Sequence, residues 1–240
     1  MKLYHGTSIQ AASHILKWGI KPRNETQTGN WEEYPSHPGF VYMTTAYALY
    51  FAISAMKNAN DKCAIFEIDS DLLRQNRLCP DEDFIGQTRT KHENISLKEA
   101  TLESNPLDYR HLMVTDTKTN HKNPIEGWVL SIQSLGNCCY HGKIPLDAIT
   151  RWAEIDLIKN PYLTSLGLDP EISIINYYLM REKYTSLMKH IFDGGEVYDE
   201  FSEAMNSNQD AFKEMIKGRK EFMEKLQSSR ENSVKVYNLK

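Results

Sequence analysis

The chain has 240 residues, 40% hydrophobic and 25% charged, with a formal net charge of −4. That length suits one large domain or one domain with an appendage, and no run approaches the ~18 apolar residues that mark a membrane span. The acidic balance argues against a protein that grips duplex backbone nonspecifically, because such proteins carry a basic excess. Basic residues are dispersed, as in Lys21-Pro22-Arg23, Arg89-Thr90-Lys91 and Lys217-Gly218-Arg219-Lys220. A single-stranded nucleic acid, held by stacking as well as charge, stays compatible with that pattern.

The first residues lack the cationic and apolar regions of a secretory leader, so a cytoplasmic location is expected. Cys63, Cys79, Cys138 and Cys139 form no C-x-x-C pair and have no zinc spacing. Reduced, buried thiols and no metal are the expectation, with Cys138 and Cys139 pointing to opposite faces of a strand.

In chain order, residues 2–5 read as a short strand. Ser8 is a good N-cap for a helix from Ile9 to about Trp18, with Ala12, Ile15 and Leu16 on one face and Gly19 as terminator. Residues 21–39, punctuated by Pro22, Gly29, Pro35, Pro38 and Gly39, read as a long loop. Residues 40–43 follow as a strand. Thr45 is expected to cap a nearly all-apolar helix over 46–59. Cys63 to Ile68 reads as a buried strand and Asp69 to Asn76 as a short helix.

The run Pro80-Asp81-Glu82-Asp83 reads as solvated or capping carboxylates rather than a metal site. Residues 86–124 are mostly polar, with a helix near Ser96 to Glu103. Trp128 to Ser134 and Asn137 to Tyr140 are expected as two strands kinked at Gly136, and Trp152 to Ile158 as a last strand. Beyond Pro161 and Pro170 the pattern becomes helical, over 171–192, 195–206 and 208–229. The expected division is a catalytic domain over 1–160 and a helical appendage over 161–240.

Three blocks stand out: Tyr4-His5-Gly6-Thr7-Ser8 before a helix, Gly39-Phe40-Val41-Tyr42 before a second helix, and Gly142-Lys143-Ile144-Pro145 late in the chain. An imidazole at a strand end can bond a ribose hydroxyl. A glycine beside it admits close approach to its backbone, and a tyrosine ring can stack on a nicotinamide. In this order over residues 2–158, the blocks resemble the ADP-ribosyltransferase superfamily, in its diphtheria-toxin and poly(ADP-ribose) polymerase-like branch. The resemblance implies an α+β fold with a split, mixed or antiparallel sheet and flanking helices.

The resemblance also implies NAD as co-substrate. His5 would hold a ribose, the Gly6 backbone would grip the carboxamide beside Thr7, and Tyr42 and Tyr50 would pack the nicotinamide. The loop over 21–39 would be a donor loop. Tyr47 is expected to be dispensable. Where the family has a glutamate before the x-Ile-Pro segment, this chain has Asn137, which cannot act as a carboxylate base. Either the acceptor needs no strong base, or another acid such as Glu126 or Asp147 enters, or the chain binds NAD without transfer.

Intracellular members of this size include toxins of toxin–antitoxin and phage-defence systems. The resemblance therefore implies a mono-ADP-ribosyltransferase acting on single-stranded nucleic acid, RNA ahead of DNA, with a neutralising antitoxin protein as partner. A protein acceptor, or a degenerate NAD- or nucleotide-binding module, is the alternative.

Overall fold

In the computed structural model, residues 1–27, 36–56, 62–115, 122–167, 177–197 and 213–239 are described. The elements run β1 (Lys2–Ser8), α1 (Ile9–Trp18), α2 (Arg23–Thr26), β2 (Phe40–Thr44), α3 (Ala48–Ser54), β3 (Lys62–Asp69) and β4 (Leu78–Pro80). They continue with α4 (Glu82–Thr90), α5 (Leu97–Glu103), β5 (His111–Thr115), β6 (Lys122–Glu126), α6 (Gly127–Leu135), β7 (Asn137–His141) and β8 (Ile149–Asp156). The last are α7 (Pro161–Gly167), α8 (Tyr177–Asp193), α9 (Lys213–Ser233) and β9 (Val234–Asn238).

This is a mixed α+β fold. Seven strands form one sheet in the order β4-β7-β2-β1-β3-β8-β9, and β5 and β6 form a separate pair. The chain divides into two compact units. One comprises Met1–Leu3, Ser13–Thr45 and Ile68–Ile149; the other comprises Tyr4–Ala12, Ala46–Glu67 and Thr150–Lys240.

In the first unit β7 pairs antiparallel with both β2 and β4, setting Tyr42 and Cys79 opposite Cys139. All four cysteines are free and buried. Gly19 ends α1 with φ 76° and its N–H on Ile15, as its position as C′ terminator requires. A Cβ there would lie 2.2 Å from the Ile144 carbonyl, and Ile20 bridges Ile144 directly. The Gly142-Lys143-Ile144-Pro145 block thus anchors the chain where it leaves α1.

The segment expected as a strand from Trp128 is instead helix α6. Its short, mostly apolar stretch from Trp128 to Ser134 is ambiguous by alternation alone. Trp128, Ser131, Ile132 and Leu135 are buried at helical spacing, and Gly136 closes the helix in the left-handed region with φ 75°. Asp69 to Asn76 contains two 3-10 turns, Ser70–Leu72 and Gln75–Arg77, rather than one helix. Thr45 does not cap α3. Tyr47 occupies that position without a side-chain cap, and both Thr45 N and Oγ1 donate to Gly136 O.

The second unit has its own core. Tyr4, Leu49, Ile65 and Ile155 pack with Leu187, Ile191 and Leu226 from the C-terminal helices. The last strand, β9, was not expected from the sequence. It pairs antiparallel with β8, and Phe66, Trp152 and Tyr237 stack in succession at 5.9 and 4.6 Å between ring centroids. Described residues between Ala153 and Val234 therefore share a core with Tyr4, residues within 46–52, Cys63 and Ile65. The helix expected over 195–206 falls mostly outside the described residues; Gly194 to Val197 are not helical.

Candidate functional site

In the first unit, alternation along β2 puts Phe40, Tyr42 and Thr44 on one face. Their partners on β7 are His141, Cys139 and Asn137. Phe40, Tyr42, Cys79 and Cys139 pack together with Leu107. The next chain segment brings an acid to this face. β4 ends at Pro80 and Asp81 caps α4, its side chain accepting from Asp83 N at 2.9 Å. Glu82 then sits in the first helical turn.

The Glu82 carboxylate accepts from the Tyr42 hydroxyl at 2.6 Å. His37 N donates to the Tyr42 oxygen at 2.9 Å and to Glu82 Oε1 at 3.2 Å. Glu82 is 8% exposed, and its Oε2 is buried without a hydrogen-bond partner among the described residues. Burial pushes its carboxyl above the ordinary range, and the Tyr42 bond opposes that only in part. Burial, and then the Glu82 charge, push the Tyr42 phenol well up. The phenol therefore keeps its proton and donates it. Asp81 is raised as well, chiefly by burial.

The Asp81-Glu82-Asp83 run thus caps a helix, as read, but Asp81 and Glu82 are buried rather than solvated. Sequence reasoning missed Glu82. A glutamate in the first turn of a helix is ordinary, so composition gave no signal; only the pairing of β4 with β7 turns it toward Tyr42. Among the described residues no three His, Cys, Asp or Glu side chains converge as a metal site.

Asn137 opens β7. Its carbonyl accepts from Ser131 Oγ at 2.8 Å, while its Oδ1 is buried without a hydrogen-bond partner among the described residues. Glu126, one of the two acids considered for its place, is exposed on β6, 3.3 Å from His111 Nδ1. Asp147, the other, is exposed in a 3-10 turn. The buried acid in contact with Tyr42 is Glu82.

The remaining expected residues belong to the second unit. His5 is half-buried on β1, between the buried Tyr4 and Gly6. Gly6 has a reason of its own: an added Cβ would lie 1.8 Å from the Ala48 carbonyl and 2.7 Å from Ala52 N. The approach that the missing Cβ admits is that of α3. Thr7 is 9% exposed. Tyr50 is half-buried on α3, its ring 5.6 Å from Phe51. Tyr47 is 4% exposed and packs on Tyr184 at 5.1 Å, as a core residue.

No family model matches this sequence, and no curated protein matches it. Among solved structures, the chain is similar to one titled EcPltA at 11% identity and a TM-score of 0.35. The match covers 64% of this chain and 75% of that one, and it is too slight to carry an argument about fold or function.

Proposed function

We propose that the chain is an NAD-dependent mono-ADP-ribosyltransferase whose acceptor is single-stranded nucleic acid, RNA ahead of DNA. The observation that carries this reading is the Tyr42–Glu82 hydrogen bond of 2.6 Å on the face that also holds Asn137. It supplies the carboxylate that the sequence lacks at position 137. The resemblance of the His5, Tyr42 and Ile144-Pro145 blocks adds to it, and all three blocks lie in or next to strands of the seven-stranded sheet.

The residues suit a dinucleotide's ribose. The orphaned Asn137 Oδ1 is an acceptor needing a hydroxyl. NAD, when bound, supplies a glycosidic bond whose cleavage releases nicotinamide and exposes C1′ to attack. By the resemblance, His5 would hold a ribose hydroxyl, the Gly6 backbone and Thr7 would meet the carboxamide end and Tyr50 would pack on the nicotinamide, all in the second unit, while Tyr42 of the first unit is the other nicotinamide residue it implies. An exocyclic base amine attacking C1′ loses one proton. Tyr42 would take it while passing its own to Glu82, which ends as a neutral acid. Burial favours that neutral form. No metal takes part in this scheme.

In this reading the chain acts in the cytoplasm as a toxin of the toxin–antitoxin or phage-defence kind, and a neutralising protein is its natural partner. The test is incubation with labelled NAD and separate pools of RNA, DNA and protein. Label that survives protease and leaves with ribonuclease is the expected result. Label that leaves only with protease would establish a protein acceptor instead. NAD binding with no transfer to any pool would identify a binding module.

A further inference from the structure

Four side chains that carry or can take positive charge gather beside the Tyr42–Glu82 pair, around a backbone bond from Gly142 N to Gly39 O of 2.8 Å. The ring of His141 and the Nδ1 of His37 both lie 3.8 Å from where a Cβ on Gly39 would stand. The Arg77 guanidinium lies 3.3 Å from the corresponding point on Gly142. Arg23 is close enough to His37 to disfavour its protonation, together with His141 and, foremost, burial. All four residues are half-buried. Among the described residues no ion pair joins Arg23, Arg77 or His141 to a carboxylate.

Arg23 and His141 oppose positive charge on His37, and neither they nor Arg77 is ion-paired to a carboxylate among the described residues. An anion would offset that repulsion. Two further features select the kind of anion. Burial, foremost, lowers the proton affinity of His37, which favours its use as an aromatic plate over its use as a point charge. The His37 and His141 rings flank Phe40, with centroids at 4.8 and 5.1 Å, which fixes their planes. Guanidinium groups beside fixed aromatic plates match a strand of alternating phosphates and bases. A bare phosphate would have no use for the plates.

We propose that this cluster seats the acceptor strand, with Arg23 and Arg77 on backbone phosphates and a base stacked on His37 or His141. The assignment rests on the transferase reading for its purpose but not for its test. A single strand gripped there would present a neighbouring base to Tyr42 without the long basic stripe that a duplex binder needs.

The probe is a 5′-fluorescein-labelled pentauridylate, titrated with the full chain in the absence of NAD and followed by anisotropy. The Arg23→Ala, Arg77→Ala double variant, checked for folding by circular dichroism, should bind about tenfold more weakly at low salt. Its plot of log affinity against log salt should flatten by about 1.4, for two lost phosphate contacts on a single strand. His141→Ala should weaken binding and His141→Phe should restore it, because the plate rather than the imidazole nitrogens is used.

Unchanged affinity and slope in the double variant would overturn the proposal. So would displacement of the oligonucleotide by equimolar inorganic pyrophosphate or ADP-ribose, which would give the arginines to the co-substrate. Oligonucleotide binding through both arginines, in a chain that transfers no label from NAD, would overturn the transferase reading and leave the seat standing. Transfer to RNA with arginine-independent binding would do the reverse.

Discussion

Two buried glutamates, one in each unit, are treated in opposite ways. Glu67, 3% exposed, has both carboxylate oxygens engaged by Arg151, through Nε at 3.0 Å and through the terminal nitrogen. Thr150 Oγ1 adds a bond of 2.8 Å to Oε1. Arg151 is itself held by Asp193 and lies over the Phe192 ring. Glu82 is nearly as buried, yet it faces a phenol and a backbone N–H, and among the described residues no cation contacts it and its Oε2 has no hydrogen-bond partner. A buried charge that is paired and fully bonded is a structural fixture. A buried carboxyl held half-satisfied, with its proton affinity raised, is what acid–base chemistry uses.

Removing the cation from the satisfied site tests that contrast most severely. Arg151→Ala strands the Glu67 charge, and chemical denaturation should show a loss of about 3 kcal/mol. Adding Glu67→Gln should recover much of it, since no bare charge then remains. If the single variant is as stable as the wild type, Glu67 is not the structural fixture the comparison makes it.

The same operation on the other glutamate should leave the fold and remove the chemistry. Glu82→Gln keeps the shape and should lower transfer from labelled NAD by about a hundredfold, in the range of a lost general base. Tyr42→Phe should behave alike, since it cuts the same proton path. A folded Glu82→Gln protein with full activity would return the carboxylate's role to another group.

The pH dependence of stability tests the Glu82 site directly. Glu82 and Asp81 are both raised by burial. In the window from the ordinary carboxylate range up to their raised values, the folded state binds more protons than the unfolded one. Stability therefore falls as pH rises through that window. Glu82→Gln should make the curve shallower there, as read by melting temperature at a series of pH values. A slope identical to the wild type would mean that Glu82 takes no part in it.

The smallest expected effects concern single hydrogen bonds. Thr150→Val removes one bond to the Glu67 carboxylate and should cost about 1.5 kcal/mol. Asn137→Leu removes an oxygen that has no hydrogen-bond partner among the described residues and should cost well under 1 kcal/mol. Unfolding midpoints of the two variants compare them directly; a greater loss at Asn137 would give that side chain a structural role.

Local signals were legible wherever a residue's own neighbours decide the outcome. Ser8 Oγ accepts from Ala11 N at 3.4 Å at the start of α1, and Gly19 ends that helix with positive φ. Ser96 caps α5 by accepting from Glu99 N. The β2 and β7 strands lie nearly where alternation put them. Capping and turn chemistry act over three or four residues, so a sequence carries them in full.

What only the tertiary structure decided was partnership between distant segments. α6 was read as a strand because an apolar run is the same sequence in either form; burial of Trp128, Ser131, Ile132 and Leu135 on one helical face selects the helix. β9 was invisible because Val234–Asn238 is a short, half-polar stretch whose reason to extend is its pairing with β8. Glu82 reads as one more carboxylate beside Asp81 and Asp83. It becomes the acid on Tyr42 through two pairings, β4 with β7 and β7 with β2, that join segments about sixty and about a hundred residues apart. The sequence by itself determined both ends of α1, at Ser8 and Gly19, and the first strands. The proton affinity of Glu82 is a property of burial and of one phenol, and both come from contacts that no local pattern encodes.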